Sequence, residues 1–303
     1  MSARTILITG ATGKQGGAVL TALAKNPSLT LLAVTRNASG QGAQKLISKG
    51  NNIKVVEGNL DDVPSLFKNA AEVAQGPIWG VYSVQLSQGT GVTHEGEIKQ
   101  GKAMVDESIK AGVKHFVYSS VERGGDEHSW NNPTPVPHFQ SKYEIEHYLR
   151  DNAGTMGWTI LRPVAFMDNL EPKFPSQVFI AALRDTVGTK PVQWVAVHDI
   201  GVFARMAFES PEKFNHKAIG LAGAELTVSQ LDQAFKNKTP QGMAGTYWAL
   251  GAILKLVIGE LGLMINWFGS DGYKADIPGL KKMYPGLMDM ETWIEKESPF
   301  PKK

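Results

Sequence analysis

No cysteine occurs anywhere in this chain. That excludes disulfides, thiolate nucleophiles and Cys-ligated zinc, and it fits a reducing compartment. No charge of one sign dominates either: 31 Lys and Arg stand against 29 Asp and Glu, a formal net charge of +2. The basic residues are scattered, so no nucleic-acid footprint is expected. Long uninterrupted apolar runs are missing as well. The nearest approach, residues 247–268, is broken by Lys255, Glu260 and Asn266, each costly at a bilayer centre, so no membrane insertion is expected. The N-terminus enters a strand almost at once, with no basic segment leading into an apolar run. No secretory leader is therefore expected, and a cytoplasmic location is. Neither an internal repeat nor a low-complexity segment is visible. What is present is ordinary for a globular protein: 42% hydrophobic and 20% charged residues over 303 positions. Such a length suits one large domain, or one domain with a smaller appendage.

Apolar runs of strand length alternate with helix-period segments through the first half. Thr5 to Thr9, Leu29 to Thr35, Ile53 to Glu57, Gly80 to Val84 and His115 to Ser119 read as buried strands. A helix is expected from Lys14 to about Ala24, and Ile98, Lys102, Val105 and Ile109 keep a helical spacing. Strands each followed by a crossover helix imply a parallel sheet covered on both faces, and crossover handedness then points to an α/β, doubly wound Rossmann-type sheet. The second half is less regular. Trp158 to Pro163, Val192 to Val197 and Ala218 to Leu221 are strand-like, and Thr227 with Gln230 makes a capping box. Residues 1–164 and about 191–222 are expected to form the dinucleotide-binding domain. Residues of about 165–190 and 223–303 would form a smaller α/β substrate-side domain. On a helix, Leu250, Leu254, Val257, Ile258, Leu261, Met264, Ile265 and Phe268 share one face, with Lys255, Gly259 and Asn266 opposite. That is the pattern of an amphipathic docking helix.

The chemistry-bearing motif is the turn Gly10-Ala11-Thr12-Gly13-Lys14-Gln15-Gly16. It follows an apolar strand directly and opens a helix, the context in which a glycine turn binds a dinucleotide. Glycines let the backbone approach a pyrophosphate, and the helix N-terminus offers unpaired N–H groups and the positive end of a dipole. Arg36 ends the second strand, 20 residues beyond Gly16. At that place an acid grips the ribose 2′-hydroxyl of NAD, or a cation the 2′-phosphate of NADP. An arginine fork suits phosphate, so NADP(H) is the expected cofactor, with Lys14 as a second charge. Asn59, Leu60 and Asp61 close the third strand and are candidates to border the adenine ring. Asp61 or Asp62 serves equally well as a helix N-cap.

Three segments resemble the NmrA-like family of atypical short-chain dehydrogenases/reductases. They are Thr9-Gly10-Ala11-Thr12-Gly13-Lys14-Gln15-Gly16-Gly17, Pro137-His138-Phe139-Gln140-Ser141-Lys142 and Leu161-Arg162-Pro163-Val164-Ala165-Phe166-Met167. Val197-His198-Asp199-Ile200-Gly201 fits too, so the likeness runs over nearly the whole chain. The resemblance implies that Lys142 holds the position of the lysine in the Tyr-x-x-x-Lys pair, where lysine binds the nicotinamide ribose and lowers the pKa of a tyrosine one turn earlier. Here that earlier position is His138. Tyr143 does not replace it, because it lies about 100° around the helix from Lys142. His138 is either a general acid or a helix-start residue held in place. The second is expected, since a positive charge is disfavoured at a helix N-terminus. Ser119 and Ser120 line the site, and Pro163 and Phe166 are expected beside cofactor and substrate.

Two functions follow from the resemblance, with a non-redox isomerase or lyase that uses the cofactor site differently as a weaker third. The first is an NADPH-dependent reductase of a small, largely apolar carbonyl, enone or imine compound, with Lys142 and His138 as catalytic candidates. The second is a non-catalytic NADP(H)-sensing regulator that binds a partner protein, which the missing tyrosine favours. The extended apolar segments around Phe166-Met167 and Trp248 to Phe268 suit a small-molecule substrate and tip the balance toward the first. No metal site is expected.

Overall fold

The structure is a computed structural model describing residues 4–87, 89, 91–243 and 259–303. Its first half alternates without interruption: β1 (Arg4–Ile8), α1 (Lys14–Ala24), β2 (Leu29–Thr35), α2 (Gln41–Ile47), β3 (Ile53–Glu57), α3 (Val63–Ala74), β4 (Ile78–Ser83), α4 (His94–Lys110) and β5 (His115–Ser119). A short α5 (Asp126–Ser129), the long α6 (Pro137–Asn152), β6 (Gly157–Pro163) and β7 (Ala165–Phe166) follow. Then come α7 (Phe174–Val187), β8 (Val192–Val195), α8 (Val197–Glu209), α9 (Pro211–Phe214), β9 (Lys217–Leu221), β10 (Ala224–Leu226) and α10 (Val228–Lys238). Further helices span Gly259–Ser270, Ile277–Met283 and Met290–Lys296.

Seven strands form one sheet in the order β3-β2-β1-β4-β5-β6-β9. The pairs from β3 through β6 are parallel. This is the doubly wound Rossmann arrangement, and burial explains why its strands are apolar throughout. Ile6, Leu7 and Ile8 of β1 are fully buried, as are Leu31, Leu32 and Ala33 of β2; a parallel sheet clad on both faces has no wet side to alternate toward. Strand order reverses between β1 and β4, which opens a crevice at their carboxyl ends. Two strand ends fall a residue short of expectation for one reason. The Thr9 hydroxyl accepts from the Val84 N–H at 2.8 Å and donates to the Val84 carbonyl at 2.9 Å. A side chain thus closes the ends of β1 and β4. Similarly β8 stops at Val195, because the Val197 N–H is taken by the Asp168 carboxylate at 2.8 Å as α8 begins.

The chain divides into two compact units. The first comprises Met1–Ser120, Ser141–Arg162 and Ile200–Ile219. In it Gly201 of α8 permits a close approach to α1: a Cβ there would lie 2.6 Å from the Ala18 carbonyl oxygen. Arg162, at the end of β6, makes a two-pronged contact with Glu146 of α6, 3.0 Å from Nε to Oε1 and 2.8 Å from the guanidinium to Oε2. Both side chains are fully buried. Such a pair registers helix against strand and is costly to break on one side only.

The second unit comprises Val121–Gln140, Pro163–Asp199 and Gly220–Lys303. Its own sheet runs β10-β8-β7, with β10 antiparallel and β7 parallel to β8. α10 carries the full Thr227–Gln230 capping box. Buried Asp199 accepts from the Met288 N–H at 2.9 Å and lies 3.2 Å from the His198 ring, which gives the His198-Asp199 pair a structural job. Phe139, Trp267, Phe268 and Tyr273 form an aromatic cluster with ring centroids 5.0–6.4 Å apart. Of the expected amphipathic stretch, the described part is the helix Gly259–Ser270. Ile265 and Phe268 are buried and Asn266 is exposed, as its pattern requires. Leu250, Leu254, Lys255, Val257 and Ile258 lie outside the described residues. Among the described residues no helix is long and apolar enough to cross a membrane.

Candidate cofactor site and active site

The candidate cradle for a pyrophosphate begins at the end of β1. Gly10 sits in the left-handed region at φ +61°, and a Cβ on it would come within 2.8 Å of the Val84 side chain. At Gly16 a Cβ would lie 2.4 Å from the Gly10 carbonyl and 2.5 Å from the Thr9 oxygen, backbone against backbone. Only glycine closes this turn. Gly13 is the N-cap of α1 and offers no side-chain cap, and no acid stands in the first turn. By contrast α3 and α4 are capped by Asp62 and Thr93. Gly13 thus supplies no side-chain acceptor to the first turn of α1, and Thr12, Gly13 and Lys14 are exposed around it. A helix start of this kind can cradle an anion. Gln15 is half-buried and tethered, because its Oε1 accepts from the Ser119 hydroxyl at 2.6 Å at the end of β5. Tyr82 is buried beside Ser119; burial raises its phenol pKa, offset in part by the serine, so it stays neutral.

Arg36 directly follows β2 and is exposed, with no hydrogen bond or ion pair to it among the described residues. Next along the crevice, Asn59 and Asp61 close on each other through a 3.1 Å side-chain contact, and Asp61 accepts from Gln100 at 2.7 Å. Asp62, not Asp61, is the N-cap, accepting from the Ser65 N–H at 3.2 Å. Leu60 between them is half-buried.

Lys142 lies in the same unit and is buried, at 7% exposure. Its Nζ donates to Glu97 Oε1 at 2.5 Å and to the Ser87 hydroxyl at 3.0 Å. Ser87 in turn donates to the same Glu97 oxygen at 3.0 Å, and Ser141 donates to Glu97 Oε2 at 2.5 Å. Glu97 itself is 2% exposed. Glu97 lies outside every motif of the sequence, yet its position on α4 carries a signal. Glu97, Gly101, Met104, Val105 and Ser108 are the buried stripe of α4, so this acid stands on the face that carries the glycine and the apolar residues.

His138, Pro163 and Phe166 belong to the second unit. The His138 ring Nδ1 lies 2.6 Å from Glu260 Oε1, and the same oxygen accepts from the His138 backbone N–H at 3.1 Å. In the sequence Glu260 is only an interruption in an apolar run; in the fold its carboxylate caps the start of α6. Pro163 is buried at the end of β6 and Phe166 is half-exposed on β7.

The profile of the NmrA-like family matches residues 2–294 of this chain. The chain belongs to that family. Among its relatives is the NmrA-like family domain-containing oxidoreductase FrzB of Cladobotryum sp, 27% identical over 263 residues, covering 77% of this chain and 74% of that one. Among solved structures it resembles NmrA, a negative transcriptional regulator in complex with NADP, at a TM-score of 0.70 and 21% identity over 98% of this chain and 96% of that one. The triphenylmethane reductase of Citrobacter sp., complexed with NADP(H), aligns at a TM-score of 0.72 and 18% identity, over 96% and 99% of the two chains. At these identities the structural likenesses speak to the fold.

Proposed function

We propose that this chain is an NADPH-dependent reductase acting on a small, largely apolar carbonyl, enone or imine compound. The observation that carries the cofactor half is the glycine turn, sterically closed to any side chain at Gly16 and leading into a helix whose N-cap is itself a glycine. When bound there, NADPH would supply the hydride. The amides from Lys14 to Gly16 would hold the pyrophosphate, while Thr12, Gly13 and Gln15 line the turn. Arg36 and Lys14 would hold the 2′-phosphate, and Asn59, Leu60 and Asp61 would border the adenine. Lys142 is the candidate for the nicotinamide ribose and for polarising the acceptor, with Pro163 and Phe166 assigned to the nicotinamide and substrate side. His138 acts as scaffold: one Glu260 oxygen takes both its backbone and its ring, which is how a cap behaves.

A panel of quinones, enones, imines and aldehydes, followed by NADPH absorbance, tests the reading. Turnover is expected with at least one apolar member, abolished in Lys142→Ala and nearly unchanged in His138→Phe. A loss of about two orders of magnitude in His138→Phe, the usual worth of a general acid, would make His138 the proton donor instead. NADPH is expected to bind tenfold or more tightly than NADH, and Arg36→Ala to erase the difference, since a lost contact to a charged group costs about 1.5–3 kcal/mol. Equal binding of the two cofactors by calorimetry would refute the role of Arg36. The non-catalytic alternative, an NADP(H)-sensing regulator that binds a partner protein, is favoured by the absence of tyrosine at 138. It predicts tight NADPH binding with no turnover across the panel.

A further inference from the structure

Lys142 is committed before any ligand arrives. Two of its three N–H bonds are spoken for, by Glu97 at 2.5 Å and Ser87 at 3.0 Å, and no third acceptor occurs among the described residues. Glu97 is held from its other side by Ser141 at 2.5 Å and receives Ser87 as well, so its carboxylate accepts three hydrogen bonds inside the fold. A buried carboxylate with a buried ammonium is a costly pair to desolvate, and hydrophobic residues of similar volume commonly do as well for stability. What such a pair does well is fix one geometry. A lysine carries four rotatable bonds and loses most of its rotamer freedom only when its end is tied.

We propose that Glu97 is a positioning residue: it clamps the Lys142 ammonium so that one N–H remains for the nicotinamide ribose. The proposal rests on the reading that Lys142 contacts the cofactor. It also assigns Ser87 a place, as the strap joining the clamp to the segment that follows β4. Gly101 completes the arrangement. A Cβ there would come within 2.4 Å of the Ile145 side chain, so glycine lets α4 and α6 approach closely enough for Glu97 to meet Lys142. The charge stays paired throughout, and no proton need move when the cofactor binds.

The test compares two probes, NADPH and adenosine 2′,5′-bisphosphate, which carries the adenine-side groups but no nicotinamide riboside. Lys142→Met is expected to weaken NADPH about tenfold, the low end for losing a hydrogen bond from a charged donor, and to leave the bisphosphate unchanged. Glu97→Ala is expected to do the same. The double variant should be no weaker than Lys142→Met alone, because a clamp without its lysine has nothing to hold. Glu97→Gln, which keeps an acceptor in place, should recover NADPH affinity to within about threefold of the parent. A Glu97→Ala protein weakened toward both probes alike, or a double variant with fully additive losses, would overturn the proposal and leave a merely structural acid. Unchanged NADPH affinity in Lys142→Met would remove the cofactor role of the lysine, and the proposal with it. If Glu97→Ala does not fold, Ser141→Ala removes one tether at little volume. Its NADPH affinity should fall a few fold with the bisphosphate unaffected, and no change in either would count against the clamp.

Discussion

His115 shows how much a single buried residue can dictate. It opens β5 in the first unit at 2% exposure, and its Nε2 lies 2.9 Å from the Thr159 hydroxyl. That hydroxyl donates its only proton to the Phe214 carbonyl at 3.0 Å, so the ring must be the donor and Nε2 carries the hydrogen. Nδ1 then keeps its lone pair, and a Cβ on Gly157 would stand only 3.1 Å from it. Burial, and secondarily the nearby His216, lower the imidazole pKa from 6.5 to about 4. Because the folded value lies below the unfolded one, the unfolded chain binds the extra proton between pH 6.5 and 4. Stability from this group is complete above pH 6.5 and is lost as pH falls toward 4. The shift corresponds to an upper figure of about 3 kcal/mol. His115→Phe keeps a ring against Trp79 and removes the titration. Urea unfolding at stepped pH should show a shallower acid slope across that window than in the parent. An equally steep slope would place the acid sensitivity in other groups. None of this was legible in the sequence, where His115 is simply the first residue of an apolar strand.

At the scale of elements, legibility follows the range of the forces involved. The strands of the first half and the start of α1 fall within two residues of expectation, because parallel strands buried on both faces announce themselves as apolar runs. The glycine turn is equally local, being a matter of φ angles and Cβ clashes. Glu97 is hidden in the sequence because an acid in the first turn of a helix looks like a solvated group favoured by the dipole, and Glu260 because a charge inside an apolar stretch looks like a mere interruption. Only packing between distant segments reveals that Glu97 is buried and that Glu260 caps another helix. The turn yields a sharp expectation. Gly16→Ala puts a methyl 2.4 Å from the Gly10 carbonyl, with backbone atoms on both sides and no flexible side chain to move. The turn must open, at a cost of about 1–3 kcal/mol in stability, the usual penalty of overpacking. NADPH affinity should fall more than tenfold, since about 1.4 kcal/mol already corresponds to tenfold in binding. Gly76→Ala is the matched control, because a Cβ there meets nothing within 4 Å. It should leave both quantities as they are. Retained NADPH affinity in a folded Gly16→Ala protein, by fluorescence titration, would show that the ligand does not use this turn.

Across the whole molecule, the cofactor candidates divide between the two compact units, and that division can be tested without a known substrate. Gly10 to Gly16, Arg36, Asn59 to Asp61 and Lys142 all belong to the first unit, whereas His138, Pro163 and Phe166 belong to the second. A ligand that binds only the native state stabilises it by RT ln(1 + [L]/Kd), about 2.7 kcal/mol at a hundredfold excess over Kd, so NADPH should raise the thermal midpoint and NADH much less. Where the stabilisation appears is the more telling measurement. Hydrogen exchange reports local opening segment by segment. On adding NADPH, slower exchange is expected in the peptides covering 9–17, 58–62 and 84–87, whose amides sit at the carboxyl ends of β1, β3 and β4. Peptides covering α10 and the helix Met290–Lys296, which bear none of the assigned residues, should not change. Protection confined to the first unit would leave Pro163 and Phe166 without a cofactor role and restrict them to substrate. Protection reaching 163–167 as well would support their assignment to the nicotinamide side. If the peptides of the glycine turn exchange at the same rate with and without NADPH, while a calorimeter still registers binding, the ligand sits elsewhere and the assignment of Gly10 to Gly16 falls.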